Sequence, residues 1–426
     1  MRVLVQLGPR RVTGYVVKST SSAPPGVKVK PVLDVLDEEP LFGQEVLELC
    51  RWVSRYYHEA LGEVIATALP GGLNQKDTRI ATLTDEGRAH GASLSVERTP
   101  EAALLAALEG GPRPVATLNR TFKVPLRILS KGVRSGWISL EYALKKGDAR
   151  QRMEKVAVFV KPLDRKPVSP KETRVVEALA EEGELSVRHL NKTFKNVRNN
   201  LKRLVEDGVV RVEERRVFRD VLGNRTLITP DESPPPTLTE EQKPVVAALV
   251  TAVEKGEGRF LLQGVTGSGK TEVYLRAIEA VLAAGKGAIV LVPEIALTPQ
   301  LASRFQGRFG NEIALLHSGL RSSERLDQWT EIAQGRRRVV VGARSAIFAP
   351  IPKLGLVVVD EEHETSFKQE DRPRYHARDL AMVRGSQSGC PVVLGSATPS
   401  MESLMNAQTG RYSLLLMKER VQSRPM

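Results

Sequence analysis

The chain has 426 residues and a formal net charge of +13, enough length for roughly two to four ordinary domains and a basic balance that favours nucleic acid over a membrane surface as polyanionic partner. Its two cysteines, Cys50 and Cys390, lie far apart and are too few for a disulfide framework or a metal cluster. No apolar run approaches the ~18 residues of a membrane span, and the apolar start is too short for a signal peptide, so the expected setting is a reducing cytoplasm.

Residues 1–72 read as a small α+β module. Val3–Leu7, Arg11–Val17 and Val27–Leu33 have strand character and are punctuated by Pro24, Pro25 and Gly26. A helix is expected from Leu41 to about Leu61, because Val46, Leu47, Leu49, Cys50, Val53 and Tyr57 form one stripe. A second helical stretch ends at Leu69–Gly72. Trp52, Tyr56 and Tyr57 read either as core or as an aromatic platform for a nucleotide base.

Residues 73–165 carry two short helical patterns, around Pro100–Leu108 and Leu126–Lys131, before a strand near Gly136–Tyr142. Helix, helix, strand is the order of a winged-helix unit. Residues 166–222 repeat it with a helix at Lys171–Glu182 and another at Asn196–Asp207, stopped by Gly208. Val209–Glu214 and Arg216–Val221 would then form the wing. Arg188, Lys192, Lys195, Arg198, Lys202 and Arg203 lie together with no acidic residue among them. Such a helix suits a DNA groove, and equally a protein-docking module. Residues 223–237, with Pro234–Pro236, read as a stiff linker.

Residues 238–426 alternate strand and helix. Beyond Phe260–Leu262, strands are expected at Ala288–Val292, Ile313–His317, Arg338–Val341, Leu356–Val359, Val392–Leu394 and Tyr412–Leu416. Continuous Val/Ile/Leu runs are what strands buried on both faces require, so the fold class is α/β with a doubly wound, mostly parallel sheet.

The chemistry sits at the ends of two of these strands. Gly264 to Thr271 reads G-x-x-x-x-G-K-T between a strand and a helix, the setting of a phosphate-binding loop. Glycines such as Gly267 and Gly269 let successive N–H groups, that of Ser268 included, converge on phosphate oxygens, helped by the helix start. Lys270 supplies a charge for the β- and γ-phosphates, and the Thr271 hydroxyl can hold Mg²⁺. The run Leu356–Val359 then delivers Asp360 and Glu361 to its carboxyl end. Asp360 suits Mg²⁺, and Glu361 suits a general base for the attacking water.

The Asp360–His363 box, followed by Gly395–Pro399, resembles the superfamily 2 DExH helicases. Val292–Pro299, Leu316–Leu320, Gly342–Pro350 and Phe367–Asp379, with Trp52, Tyr56, Tyr57 and Ala68–Pro70 near the start, narrow the resemblance to primosomal protein N′, the PriA-type replication-restart helicases of bacteria. The resemblance implies a RecA-like ATP-binding lobe at 238–426, behind a 3′-end DNA-binding domain and winged-helix-like modules. It implies ATP and Mg²⁺ as cofactors, with Gln242 reading the adenine edge, and Ser396 and Thr398 coupling nucleotide to DNA. Pro293–Thr298 and Gly342–Ser345, Arg344 and Ser345 included, would touch single-stranded DNA. Phe367–Arg378 resembles a DNA-sensing loop. There Phe367 and Tyr375 among Lys368, Arg372, Arg374 and Arg378 fit base stacking with phosphate contact, or an exposed loop pinned by two buried rings.

The implied activity is 3′-to-5′ DNA unwinding at stalled forks, with forked and single-stranded DNA, primosome proteins and single-strand-binding protein as partners and no membrane. The family continues into a second lobe with arginine fingers and a zinc insertion that the 426 residues do not contain, so no zinc site is expected here. Because an arginine finger is worth about 10³- to 10⁵-fold, weak nucleotide binding and slow hydrolysis are expected of a chain truncated in this way. The family usually has more sequence before Arg11–Val17, so an incomplete 3′-end pocket is expected too. The alternative is a non-hydrolysing module that recognises DNA structure and loads the primosome. A nucleotide kinase or GTPase explains the phosphate loop but not Gly395–Pro399.

Overall fold

A computed structural model of the chain describes residues 1–421 apart from 9, 24, 27, 74–75, 94–98, 146–152, 195–196 and 217–234. β1 (Arg2–Leu7) and β2 (Arg10–Tyr15) pair antiparallel, with β3 (Asp34–Val35) along the other edge of β1. Residues 28–33 make no strand; Pro31 has no N–H to give a ladder. The helix expected over Leu41–Leu61 is shorter, α1 (Gln44–Tyr56), and the second expected helical stretch forms as α2 (Leu61–Ala68). The chain breaks at His58, whose φ of 53° is left-handed, and Ser54 Oγ donates to the Glu59 carbonyl across the turn at 2.7 Å. Of the three aromatic residues here, Trp52 and Tyr57 pack on the core, whereas Tyr56 is 61% exposed.

β4 (Lys76–Leu83) joins this sheet beside β2, so the sheet runs on past residue 72. α3 (Asp85–Ser93), α4 (Pro100–Glu109), β5 (Arg113–Pro114), α5 (Val115–Arg120), α6 (Leu126–Arg134) and β6 (Ile138–Lys145) follow, β6 pairing with β4 over eight residues. Both expected helices form. Thr99 Oγ1 accepts from the Ala102 N–H at the start of α4, and Pro100 fills the first turn.

The second module begins earlier than 166. β7 (Met153–Phe159) supplies the central strand of a three-stranded sheet, flanked by β8 (Glu184–Ser186) and β9 (Val210–Arg216). Between them lie α7 (Pro170–Glu182), α8 (Val187–Phe194) and α9 (Arg198–Glu206). Gly208, at φ +69°, follows α9 as expected. β9 pairs with β7; the rest of the expected wing, from residue 217, and Lys195 lie outside the described residues. Arg188, Lys192, Arg198 and Lys202 are exposed, while Arg203 donates to Asn200 Oδ1. Leu179, Leu190, Leu201, Leu204 and Val175 close a core among these elements alone.

The last part is a seven-stranded, wholly parallel sheet. Its elements are α10 (Gln242–Lys255), β10 (Arg259–Gly264), α11 (Lys270–Ala283), β11 (Gly287–Leu291), α12 (Pro299–Phe309), β12 (Ile313–Leu316), α13 (Ser322–Ala333), β13 (Val339–Gly342), β14 (Leu354–Asp360), α14 (Ala377–Ser388), β15 (Val392–Ser396), α15 (Met401–Gln408) and β16 (Ser413–Met417). Strand order is β12-β13-β11-β14-β15-β10-β16. Alternation along each strand sends Leu262, Val290, Val341 and Val358 to one face, where α10, α11 and α12 pack. Leu261, Leu291, Val340 and Val359 go to the other. That second face is covered by α13 and α14, and also by α1 and α2 of the N-terminal domain, whose Leu49, Cys50, Val53 and Ile65 belong to the same core. Trp329 Nε1 donates to the Leu41 carbonyl at 2.6 Å across this seam. Cys50 and Cys390 are both buried in it, and burial pushes both thiols up to about 12. No described helix is long and apolar enough to cross a membrane.

Candidate active site

The cleft lies at the carboxyl ends of β10, β14 and β15. β10 ends at Gly264, and the loop curls through Gly267 and Gly269, both left-handed at φ +82° and +81°. A Cβ at Gly269 would stand 2.3 Å from Gln242 Nε2, and one at Gly264 2.6 Å from Ser268 Oγ. The loop therefore needs glycine for closeness as well as for φ. Lys270 opens α11, is buried, and donates from Nζ to the Gly264 carbonyl at 2.8 Å. The Gln242 amide is engaged at both ends: Oε1 accepts from the Thr239 N–H at 2.9 Å and Nε2 donates to the Ser268 carbonyl at 3.0 Å. Gln242 thus braces the loop.

β14 delivers Asp360 and Glu361 opposite. Glu361 adopts φ 47°, left-handed for a residue with a side chain. Its Oε1 lies 3.8 Å from Lys270 Nζ and its Oε2 3.7 Å from His363 Nδ1. Asp360 Oδ1 accepts from the Tyr274 hydroxyl at 3.0 Å. Burial, reinforced by the Glu361 charge, pushes the Asp360 carboxyl up to about 6. Lys270, Thr271, Asp360 and Glu361 all line one cleft of about 820 Å³, with Arg304 and Arg308 on its wall and Pro235, Pro236 and Thr237 at its rim. Arg308 is committed to Glu272 and Glu279.

The cleft fits a nucleotide polyphosphate. Ser268 Oγ is a buried hydroxyl with no partner. The glycine loop precedes a helix N-terminus, where unpaired N–H groups favour an anion. Thr271 and Asp360 supply one hydroxyl and one carboxylate, oxygen donors of the kind that would hold Mg²⁺.

Ser396 and Thr398 connect to this site. Ser396 Oγ lies 2.8 Å from His363 Nδ1 and accepts from the Thr398 N–H at 3.0 Å. A chain of contacts thus runs from Lys270 through Glu361 and His363 to the turn after β15.

The expected DNA-contacting residues are divided. Arg344 follows β13 and donates from Nη1 to the carbonyls of Ser366, at 3.3 Å, and Lys368, at 2.9 Å, stapling the basic loop. Ser345 is exposed. Phe367 and Tyr375 are buried, Tyr375 meeting Phe348 edge-on at 5.3 Å, so neither ring offers a face to a base and the pinned-loop arrangement is the one observed. Lys368, Arg372 and Arg374 are exposed. Arg378 is not: it pairs with buried Glu362 at 3.1 Å and donates to Ser400 Oγ at 2.7 Å. Glu362 also accepts from the Ser400 N–H at 2.7 Å and from Ser403 Oγ at 2.9 Å. A buried carboxylate demands such partners, and Arg378 is one of them.

Tyr274, Glu362, Ser400 and Ser403 have no part in the sequence-based site. Tyr274 was within reach, because it lies one helical turn beyond Lys270 and so on the same face of α11. Gly395 records its position: a Cβ there would stand 1.8 Å from the Tyr274 hydroxyl.

Comparison with known proteins gives two family matches, a 3′ DNA-binding domain over residues 1–70 and a DEAD/DEAH box helicase over residues 239–407. Replication restart protein PriA of Bacillus subtilis (strain 168) is 38% identical over 443 aligned residues, covering all of this chain and 52% of that protein. The Haemophilus influenzae protein of the same name is 32% identical, over 99% of this chain and 48% of its own length. That of Treponema pallidum is 51% identical over 43% of this chain and 28% of its own. The chain spans about half the length of the curated relatives it matches over its whole extent.

Proposed function

The chain belongs to the PriA family of replication restart proteins, and on that premise we propose that it carries the ATP-hydrolysing site of a 3′-to-5′ DNA helicase acting on forked DNA in the bacterial cytoplasm. The observation that carries this is the meeting of Lys270, Thr271, Asp360 and Glu361 around one cleft. Lys270 leaves the Gly264 carbonyl and Glu361 to neutralise the β- and γ-phosphates of ATP. Thr271 and Asp360 hold Mg²⁺, which when bound withdraws charge from the phosphates. Glu361 accepts the proton of the attacking water. Gln242 holds the phosphate loop and turns to the adenine edge when the base arrives. The contact chain from Glu361 through His363 to Ser396 and Thr398 carries the state of the phosphate to the DNA track.

DNA is held electrostatically by Lys368, Arg374 and Arg372, with Arg344 and Ser345 beside them, while Phe367, Tyr375 and Arg378 keep the loop in shape from within. Primosome proteins and single-strand-binding protein are the implied partners.

The test is phosphate release by the 426-residue chain with and without forked DNA, beside Lys270→Ala and Glu361→Gln. DNA-stimulated release that both variants abolish supports the proposal. Fork binding with turnover no higher than in Lys270→Ala supports the non-hydrolysing, primosome-loading alternative instead. Fork affinity that does not fall steeply with salt contradicts either DNA reading.

A further inference from the structure

Large rings at a protein surface usually lean on the core, and Tyr57 does so. Its hydroxyl accepts from the His376 N–H at 3.2 Å, and Lys368 Nζ lies over its ring at 5.5 Å. Tyr56 does not. It lies flat on Trp52, with centroids 4.6 Å apart and planes at 12°, and meets Tyr57 edge-on at 4.9 Å. Two neighbours fix its plane, and it is still 61% exposed. Cations from both sides of the domain seam stand at its neighbours. Lys368 sits over Tyr57, and Arg372, whose side chain is 82% exposed, reaches to 3.8 Å from Glu59. Arg55 is exposed on the preceding residue.

We propose that the Trp52–Tyr56 stack, flanked by Tyr57 with Lys368 over it and by Glu59 with Arg372 near it, is a binding platform for one unpaired base of single-stranded DNA at the seam between the N-terminal domain and the helicase lobe. Every base has a π-face, so a ring held in a fixed plane binds any sequence, while flanking ammonium and guanidinium groups take the phosphates. Rigid support matters because a ring already held in place loses little freedom when the base arrives. The rings belong to the N-terminal domain and the two cations to the basic loop of the lobe, so the site draws on both domains. This inference rests on the DNA-binding reading above.

The test is fluorescence anisotropy with a labelled oligothymidylate and with an abasic sugar-phosphate strand of the same length, on the 426-residue chain. Wild type should prefer the oligothymidylate. Tyr56→Ala should weaken it about tenfold, within the range of one stacked base, and leave abasic binding and the salt slope unchanged. Tyr56→Phe should behave as wild type. Because Tyr56 is exposed, unchanged melting of both variants checks the fold. Equal affinity of wild type and Tyr56→Ala overturns the platform while leaving DNA binding standing. So does a Tyr56→Phe as weak as Tyr56→Ala, which would mean a hydroxyl contact and no stacking. Failure of wild type to bind either strand overturns the DNA-binding reading itself.

Discussion

Two parts of the chain precede the helicase lobe and are attached to it by different means. The N-terminal domain lends Leu49, Val53 and Ile65 to the core under one face of the seven-stranded sheet, and Trp329 and His376 of the lobe bond to Leu41 and Tyr57 across the seam. The module at 153–216 closes its core around Leu179, Leu190 and Leu204 with residues of its own. A domain that shares a core cannot open without exposing its neighbour's apolar surface. One with a separate core opens by itself. The first arrangement suits a domain whose state must be felt at the nucleotide, and the second suits an adaptor.

The largest expected effect is at Glu362. Glu362→Ala leaves the Arg378 guanidinium without its buried counter-charge, a loss of about 3–5 kcal/mol. Calorimetry should show the lobe and the N-terminal domain melting earlier together, with the 153–216 transition unmoved; separate melting of the N-terminal domain would break the comparison. Next come two matched truncations, Leu49→Ala and Leu204→Ala, both fully buried in wild type and each costing about 2–5 kcal/mol. Hydrogen exchange should rise in α1 and also in β11 and β14 for the first, and only within 153–216 for the second. If Leu49→Ala leaves β11 and β14 as protected as before, the core is not shared.

The smallest effect is a gain. Asp360 ionises near its ordinary 3.8 when unfolded and at about 6 when folded. Between these values the folded protein holds the extra proton, so stability falls as pH rises through this window, and the full penalty applies above pH 6. Asp360→Asn removes it. In melts without nucleotide or metal, the variant should match wild type below about pH 4 and gain at most about 3 kcal/mol above pH 6, in the lobe transition alone. A difference that does not grow with pH would contradict the assignment.

The nucleotide site was legible in the sequence because its chemistry is local. A phosphate loop needs glycines, a lysine and a hydroxyl at fixed spacing, and a buried strand ending in Asp360 and Glu361 shows itself by contrast. The doubly wound sheet was legible for the same reason, from unbroken runs such as Leu356–Val359. The basic loop was not. Whether Phe367 and Tyr375 face a base or the core depends on Phe348 and on α1, which lie far away in the chain. Glu362 stands among Asp360, Glu361 and His363 and reads as one more solvated charge; that it points inward to Ser400, Ser403 and Arg378 is a consequence of how α15 packs.

Pro235, Pro236 and Thr237 form part of the rim of the nucleotide cleft, and the Pro236 carbonyl accepts from Arg276 on α11. These are the last residues of the tether between the second module and the lobe. A guest in the cleft therefore lies against the residues that lead into α10, and Arg276 pins those residues to the helix that Lys270 opens.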